Sequence, residues 1–462
     1  MKRIFLLKIK NGSDNMLIDN INDKFREECG VFGIYSNRKY DMSSLLYQAL
    51  NSLQHRGQES CGVAVSNGKN ISSFKGMGLV SEVFNNKSNE IYSKVAIGHT
   101  RYSTFGKSNL KNAQPILDED IAIAHNGNIT NANSHKKHLL SKGIVFDTET
   151  DSEVFLKLLK ENREKDLEKS LINISKQIKG GYAIVLLFKN KLIGIRDEKG
   201  IRPLCIGKLD DGYVLASESC TLNILGAKFI RDVNPGEIVI IDKIGLKSTY
   251  FKNNIKCKTC SFEYIYFARE DSVIDGVDVY KSRFLAGKEL YKEHPTEADI
   301  VIGVPDSGIP AAIGYSKASG IEYEIGFVKN KYVGRTFIQP SRKIRERDIS
   351  IKLNVIKGNV KGKNIVLIDD SIVRGTTSKK IVEMLKKAGT DKIHLRIASP
   401  IINNPCYLGI DTKDKKELLG AKKNLKEIKE FLKVDSIEYI SIGGFIKTLQ
   451  GKNGICLKCF KK

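Results

Sequence analysis

Proline is scarce in this sequence, 9 in 462 residues, and tryptophan is missing altogether. Neither scarcity marks a disordered polymer, because apolar residues make up 41% of the chain, close to the share in globular domains. Long apolar runs are absent. None approaches the ~18 residues of a membrane-spanning helix, which excludes a helical bilayer protein. The first apolar run, residues 4–7, is four residues long and no small-residue cleavage site follows it, so a secretion signal is not expected. The acid-poor character of an organelle-import peptide is broken by Asp14, Asp19, Asp23, Glu27 and Glu28. Nine cysteines in 462 residues are too few for a disulfide scaffold, and their odd number leaves one without a mate. A reducing, cytoplasmic setting is the expectation. Acids are outnumbered, 53 Asp and Glu against 76 Lys and Arg, for a net charge of +23. That surplus points to an anionic partner, whether nucleic acid, an anionic membrane surface or phosphorylated small molecules.

The length allows two or three domains at the usual ~100 to 200 residues each. From Cys29 to about Tyr250 the chain reads as short apolar strands punctuated by Gly and Asn: CGVFGIY, CGVAV, KVAIGHT, DIAIAHNGN, GYAIVLLF, KLIGI, YVLASES and GEIVIID. Helical spacing appears at 43–54 and 152–159. More strands than helices in this order predict a layered α+β domain. From about Asp299 strand and helix alternate through DIVIGV, IEYEIGFV, NIVLIDD and KIHLRIAS. Apolar strands that run into polar loops and then helices predict a parallel α/β sheet with ligands at the strands' carboxyl ends. Residues 420–433 read as one Lys/Glu-laced helix with a solvated face. The expected organisation is a leader at 1–28, a first domain at 29–255 and a second at 256–462.

Cys29 on its own reads as a core cysteine at the start of a strand. Four other segments change that: LQHRGQES at 53–60, GHTRYST at 98–104, AHNGNI at 124–129 and TDSEV at 150–154. Together with Cys29 they resemble the class II glutamine amidotransferases, which are N-terminal-nucleophile (Ntn) hydrolases with an αββα sandwich. The resemblance implies removal of residues 1–28, so that Cys29 attacks the glutamine amide with its own α-amino group as base. The reference pKa of such an amine, about 7.7 to 8.0, suits proton exchange at neutral pH. It further implies that the Asn126 amide and the Gly127 N–H form the oxyanion hole, and that Arg101 and Asp151 bind the carboxylate and ammonium of glutamine. Taken singly, Arg101 also reads as a surface ion pair, Asp151 as a helix N-cap, and Asn126-Gly127 as a hairpin turn. Met16 is an alternative start that would shorten the leader.

NIVLIDDSIVRGTTS at 364–378 runs a strand into two acids, a Gly/Thr/Ser loop and a helix predicted from Ser378. Backbone N–H groups at a helix start bind anions, and Gly375 permits close approach to a phosphate. The absence of G-K-[ST] excludes a Walker loop. The pattern resembles the signature of the type I phosphoribosyltransferases for 5-phosphoribosyl 1-diphosphate (PRPP), with Asp369, Asp370, Ser371, Arg374, Gly375, Thr376, Thr377 and Ser378 as binding residues. By the same resemblance, Ser307 of VIGVPDSG at 301–308 joins Asp369 and Asp370 around Mg²⁺. Residues 329–363 hold 11 Lys and Arg against 2 Asp and Glu. The resemblance makes this the loop that closes over the substrate through Lys329, Tyr332 and Arg335. A solvated basic loop is the plain alternative, and no recognition fold accompanies the charge that would suit nucleic acid.

Two CxxC pairs, Cys257/Cys260 and Cys456/Cys459, suggest a Cys₄ zinc site when read alone, although they lie much further apart than the usual ~15 to 20 residues. From Cys29 to Cys459 the chain resembles the prosegment-bearing, iron-sulfur subgroup of the amidophosphoribosyltransferases. That resemblance implies a 4Fe-4S cluster on Cys260, Cys406, Cys456 and Cys459. It leaves Cys257 outside the cluster, and Cys61, Cys205 and Cys220 read as core residues in strands or turns. Thiolates suit iron-sulfur and zinc alike. The implied reaction hydrolyses glutamine and passes ammonia to PRPP, giving 5-phosphoribosylamine, the entry to purine synthesis. Implied partners are glutamine, PRPP, Mg²⁺, purine nucleotides as inhibitors and further copies of the chain, as dimer or tetramer, with neither nucleic acid nor membrane. A silent PRPP-binding sensor, a different class II amidotransferase and an iron-sulfur redox sensor stay open as alternatives.

Overall fold

The computed structural model describes residues 29–84, 90–102, 107–162, 164, 166–330, 353–410, 412, 414–452 and 454–461. The 1–28 leader with Met16, and Tyr332 and Arg335 of the basic loop, lie outside the described residues.

Two antiparallel sheets face each other in the first half. One has seven strands in the spatial order Lys228–Asp232, Cys205–Leu209, Gly212–Ala216, Gly30–Asp41, Tyr92–Arg101, Ser60–Ser66 and Ile71–Met77. The other has six, ordered Gly245–Tyr250, Glu237–Asp242, Lys191–Arg196, Gly180–Phe188, Ile121–Ile129 and Ile116–Asp118. Successive side chains on a strand point to opposite faces, so Val31 and Tyr35 enter the layer between the sheets while Phe32 and Ile34 face the helix Ser43–Ser52. In the facing sheet Val185 and Leu187 enter the middle layer, and Ile184 and Leu186 pack against the helices Ala132–Ser141, Asp151–Glu161 and Leu167–Gln177. Both faces of the central strands are therefore covered, which makes them continuous apolar runs and gives the expected αββα sandwich. Gly33 sits where the sheets touch. A Cβ there would lie 2.5 Å from Leu192 Cδ1 and 2.8 Å from Val185 Cγ1, so a side chain at this position would force the layers apart.

In the second half a four-stranded parallel sheet runs Ile300–Gly303, Asn364–Asp369, Lys392–Ile397, Ser436–Tyr439. Gly303 lies opposite Ile368, which places the loops after these two strands side by side at the sheet's carboxyl edge. Three expectations need correcting. IEYEIGFV is not a strand of this sheet: only Tyr323 bridges to Val301, and Phe327–Lys329 pairs instead with Leu353–Val355. The pairing switches because the Gly326 carbonyl turns to accept the Ile356 N–H at 2.9 Å. Residues 420–433 are not one helix but Leu419–Lys422 and Leu425–Leu432. The second starts anew because Asn424 accepts the Glu427 N–H at 3.0 Å while Glu427 accepts that of Asn424 at 2.8 Å, a capping box, and it buries Ile428 and Leu432. Cys220 is buried as expected, but in the helix Ser219–Ile224.

The two halves are joined by a buried charge group. Arg56 is 1% exposed and lies between Glu218 and Glu263, both fully buried. Its Nε donates to Glu218, and its Nη2 donates to Glu263 at 2.5 Å. Glu218 also meets His55 Nε2 at 2.6 Å and accepts from Ser272 Oγ at 2.7 Å and the Arg269 N–H at 2.9 Å. Burial alone would raise the Glu218 carboxyl, but Arg56 and His55 outweigh it and hold its pKa well below the usual value. Further along the junction, Arg196 forks onto Asp275 at 2.7 and 2.8 Å. Removing one member of such a group strands the others without counter-charge. Arg56→Met is expected to lower unfolding free energy by about 3 to 5 kcal/mol at neutral pH, read from denaturant midpoints. Glu218 contributes its stability above the carboxylate reference of 4.5 and loses it as pH falls. In the variant Glu218 takes up its proton more readily, so the deficit relative to the parent shrinks below that pH.

Candidate active sites

The first cluster of site residues lies at one end of the sandwich. Gly30 pairs with Thr100 across the seven-stranded sheet, so Cys29 stands beside Arg101, and its thiol donates to the Tyr102 carbonyl at 3.6 Å. Arg101 is buried and its Nη1 donates to Glu59 Oε1 at 2.8 Å. The ion pair is thus an interior one. The loop that brings Glu59 there crosses Thr100 so closely that a Cβ on Gly57 would lie 2.4 Å from the Thr100 carbonyl carbon.

From the other sheet, the His125 carbonyl accepts from His99 Nε2 at 3.0 Å. His99 is kept neutral, its pKa pushed down to about 3 by burial. Next to His125, Asn126 and Gly127 lie inside the strand Ile121–Ile129, with Gly127 opposite Tyr182 at φ 122°. They form no hairpin turn. Asn126 is fully buried, and neither its side-chain oxygen nor its nitrogen has a hydrogen-bond partner. His99 Nδ1 and His125 Nε2 are buried and unpartnered as well. Asp151 is the first residue of its helix, and Thr150 is the cap. Its Oδ2 accepts the Ile129 N–H at 2.9 Å and its Oδ1 lies 3.6 Å from His125 Nδ1. Burial would raise this carboxyl, but His125 and the Ile129 N–H hold it below the ordinary range. A buried amide with no partner, a guanidinium and an ionised carboxylate suit a small zwitterion that carries its own carbonyl.

The second cluster occupies the carboxyl edge of the parallel sheet. Asp369 and Asp370 are buried. Ser307 Oγ donates to Asp370 Oδ1 at 2.6 Å and Ser371 Oγ to Oδ2 at 2.7 Å, while the Asp370 N–H donates to Asp369 at 2.9 Å. Lys329 pairs with Asp306 beside them, and Arg374 pairs with Glu417. Gly375 has φ 81°, and a Cβ on it would lie 2.7 Å from Leu419 Cδ2. The helix begins at Thr376, two residues before the sequence expectation. Thr376, Thr377 and Ser378 are its first turn, where unsatisfied N–H groups gather.

The four predicted cysteine ligands come from three segments of the chain to one place. Thr259–Cys260 pairs in parallel with Ile455–Cys456, Cys260 opposite Cys456. Cys459 hydrogen-bonds Cys406, which draws the Cys406 thiol down to about 6 and raises that of Cys459. Phe460 packs on Phe262 with centroids 5.7 Å apart. Cys257 turns away to Thr259 at 3.2 Å. Among the described residues no three His, Cys, Asp or Glu side chains close on one point as the ligands of a single ion do.

Sequence reasoning passed over Arg56, Glu59, Glu218, Glu263 and His125. The available signal was a charged residue inside an otherwise apolar or glycine-rich motif. Because the Asn126 amide has no protein hydrogen bond to lose, Asn126→Ala is expected to leave the thermal midpoint within about 2 °C of the parent by calorimetry. A drop beyond about 5 °C would mean that the amide is bonded within the protein.

Residues 99–223 match the glutamine amidotransferase domain and residues 281–429 the phosphoribosyl transferase domain. The chain is 44% identical over 445 residues to the amidophosphoribosyltransferase of Bacillus subtilis, covering 94% of this chain and 93% of the relative. With that of Archaeoglobus fulgidus it shares 47% over 441 residues, covering 93% and 96%. The solved glutamine PRPP amidotransferase from B. subtilis, complexed with ADP and GMP, superposes with a TM-score of 0.88 at 43% identity, covering 94% and 96%. A fold shared over both halves, with identity of this extent, leads to one assignment: the chain belongs to the amidophosphoribosyltransferase family.

Proposed function

We propose that the chain carries out the first step of de novo purine synthesis, with glutamine hydrolysed at Cys29 and its ammonia passed to PRPP at the 369–378 loop. The observation that carries this reading is the Asn126 side chain, fully buried with both polar atoms unpartnered at the end of the sandwich where Cys29, Arg101 and Asp151 lie. Leaving a buried amide unmatched costs about 1 to 3 kcal/mol. A site tolerates that cost when a substrate completes the bonding.

Once residues 1–28 are removed, the α-amino group of Cys29 takes the thiol proton as sulfur attacks the carboxamide carbon, and it then gives that proton to the amide nitrogen, which leaves as ammonia; water hydrolyses the thioester to glutamate and restores the thiol. The oxyanion forms against Asn126 Nδ2 and the Gly127 N–H. Arg101, already steadied by Glu59, accepts the glutamine carboxylate, and Asp151, ionised beside His125, accepts its ammonium. In the proposed second domain, 256–462, the helix start at Thr376, Thr377 and Ser378 holds the 5-phosphate with Arg374. Asp369, Asp370 and Ser371 take the ribose hydroxyls, and Lys329, Tyr332 and Arg335 cover the diphosphate.

The clustered oxygens of Ser307, Asp369 and Asp370 fit a hard cation and would hold Mg²⁺, which would supply positive charge against the diphosphate. Soft thiolate ligands gathered around the Thr259–Cys260 and Ile455–Cys456 pairing suit an iron-sulfur cluster. Cys260, Cys406, Cys456 and Cys459 would hold it. Nine cysteines with no disulfide among them suit the cytoplasm. No helix among the described residues is long and apolar enough to cross a membrane. Purine nucleotides as inhibitors, and assembly into a dimer or tetramer, complete the proposal.

Cys29→Ala is expected to abolish glutamine-dependent diphosphate release and to spare ammonia-dependent release. If both activities survive, or if the mature chain by mass begins before Cys29, the nucleophile assignment is wrong. Cys456→Ser, purified without oxygen, should lose the brown colour and most of the iron found in the parent. A colourless parent rich in zinc would replace the cluster with a zinc site.

A further inference from the structure

Asn126 is aimed by its backbone. Its amide is fully buried and has no partner among the described residues, so no hydrogen bond of the side chain decides where it points. The peptide just before it is held instead, and from two sides. On one side the backbone ladder of the short strand Ile116–Asp118 stops where Ile116 pairs with Ile123, and the buried Gln114 side chain continues it. Its Oε1 accepts the His125 N–H at 2.8 Å and its Nε2 donates to the His125 carbonyl at 3.5 Å. From the facing sheet, His99 Nε2 meets the same carbonyl at 3.0 Å.

A carbonyl oxygen only accepts, so His99 Nε2 carries the ring proton. Burial keeps the ring neutral, with its pKa pushed down to about 3, and Nδ1 is then a bare acceptor, buried and without a partner among the described residues. An unmatched buried nitrogen is costly. What the ring gives in exchange is a bond across the layer between the sheets. His99 pairs with Val31 and Gly62 and, two residues from Arg101, points to the same face of its strand. Gly62 keeps Gln114 close as well, since a Cβ there would lie 2.6 Å from the Gln114 carbonyl oxygen. The His125 ring is anchored separately, its Nδ1 3.0 Å from Ser152 Oγ. Asp151 therefore keeps its neighbour whatever happens at the His125 carbonyl.

We propose that His99 and Gln114 are positioning residues for the glutamine half of the reaction, holding the His125–Asn126 peptide so that the Asn126 amide and the Gly127 N–H stand against the developing oxyanion. The inference rests on the reading of Cys29, Asn126 and Gly127 given above. Neither residue needs to touch glutamine. In that reading Arg101 and Asp151 hold the two ends of the substrate, so freeing the His125 carbonyl leaves ground-state binding in place. What weakens is the contact made when the substrate oxygen becomes negative. Such a loss falls on kcat and spares KM. The part played by His99 is that of an N–H donor, which a side chain of similar bulk without a donor does not replace.

The test is steady-state glutamine hydrolysis by the full processed chain carrying His99→Leu, His99→Gln or Gln114→Met, beside the rate at which iodoacetamide alkylates Cys29, read by peptide mass. His99→Leu is expected to lower kcat about 10- to 100-fold while KM for glutamine stays within about twofold of the parent. Gln114→Met should show the same split with a loss of about 3- to 10-fold. His99→Gln restores an N–H donor and should recover most of the loss. Attack on the iodoacetamide methylene develops no oxyanion, so alkylation should stay within about twofold of the parent in all three variants. Parental kcat in both His99→Leu and Gln114→Met overturns the inference, and so does a His99→Gln variant no better than His99→Leu. A fall in kcat matched by an equal fall in alkylation overturns it too, by making these residues merely structural. If glutamine hydrolysis survives Cys29→Ala, the reading of the site and the inference fall together. If Cys29→Ala abolishes it while His99→Leu keeps the parental kcat, the inference alone falls.

Discussion

Arg56 is the charge on which the arrangement of both sites depends. It holds Glu218 from the first half and Glu263 from the second, with Arg202 3.5 Å from Glu263 on the far side. Taking these groups out of water is costly, and the interaction is worthwhile only because every charge is matched by its opposite. Its position matters as much as its strength. Arg56 sits in the loop whose Gly57 crosses Thr100 and whose Glu59 pins Arg101. Glu263 begins the π-helical turn Glu263–Phe267, and Tyr264 and Ile265 from that turn share a small pocket with Ser307 and Asp370. One guanidinium thus stands between the proposed glutamine end and the proposed phosphate end, joined to both by bonds buried away from water.

The sandwich supplies the second constraint. Its middle layer is built mostly from Val, Ala, Ile and Leu with Gly33 at the contact, so the sheets approach closely and polar groups are driven to the ends of the strands. There the packing leaves His99, His125 and Asn126 with polar atoms that the protein does not satisfy. The same crowding that stabilises the layers creates the unmet hydrogen-bonding capacity on which the proposed glutamine site relies.

What the sequence made readable follows from distance along the chain. The 364–378 segment is one strand, one turn and one helix start, so all its chemistry lies in fifteen consecutive letters, and only the helix start was misjudged, at a glycine whose left-handed conformation ends the loop. The alternating strands of the first half were legible because each carries its own apolar pattern. The 420–433 stretch misled because a charged face is equally periodic in one helix or two, and the capping box at Asn424 that divides it is a local exchange of hydrogen bonds. Arg56 with Glu263, and Asn126 with its empty surroundings, could not be read, since both depend on which distant residues the fold brings near or fails to bring near.

The two-residue pairing of Thr259–Cys260 with Ile455–Cys456 also has a consequence for how the molecule is made. The sandwich and the parallel sheet are both encoded ahead of Ile455, so each can form while translation continues. The cysteine group cannot, because half of its thiols are read from the messenger after every strand of those sheets. Until the ribosome delivers them, Phe262 lacks the ring of Phe460 and the junction between the halves is open on that side. The segment made after both sheets is therefore the one that completes the cysteine group, and a chain arrested just before it would hold its halves through Arg56 and Arg196 with two of the four thiols missing.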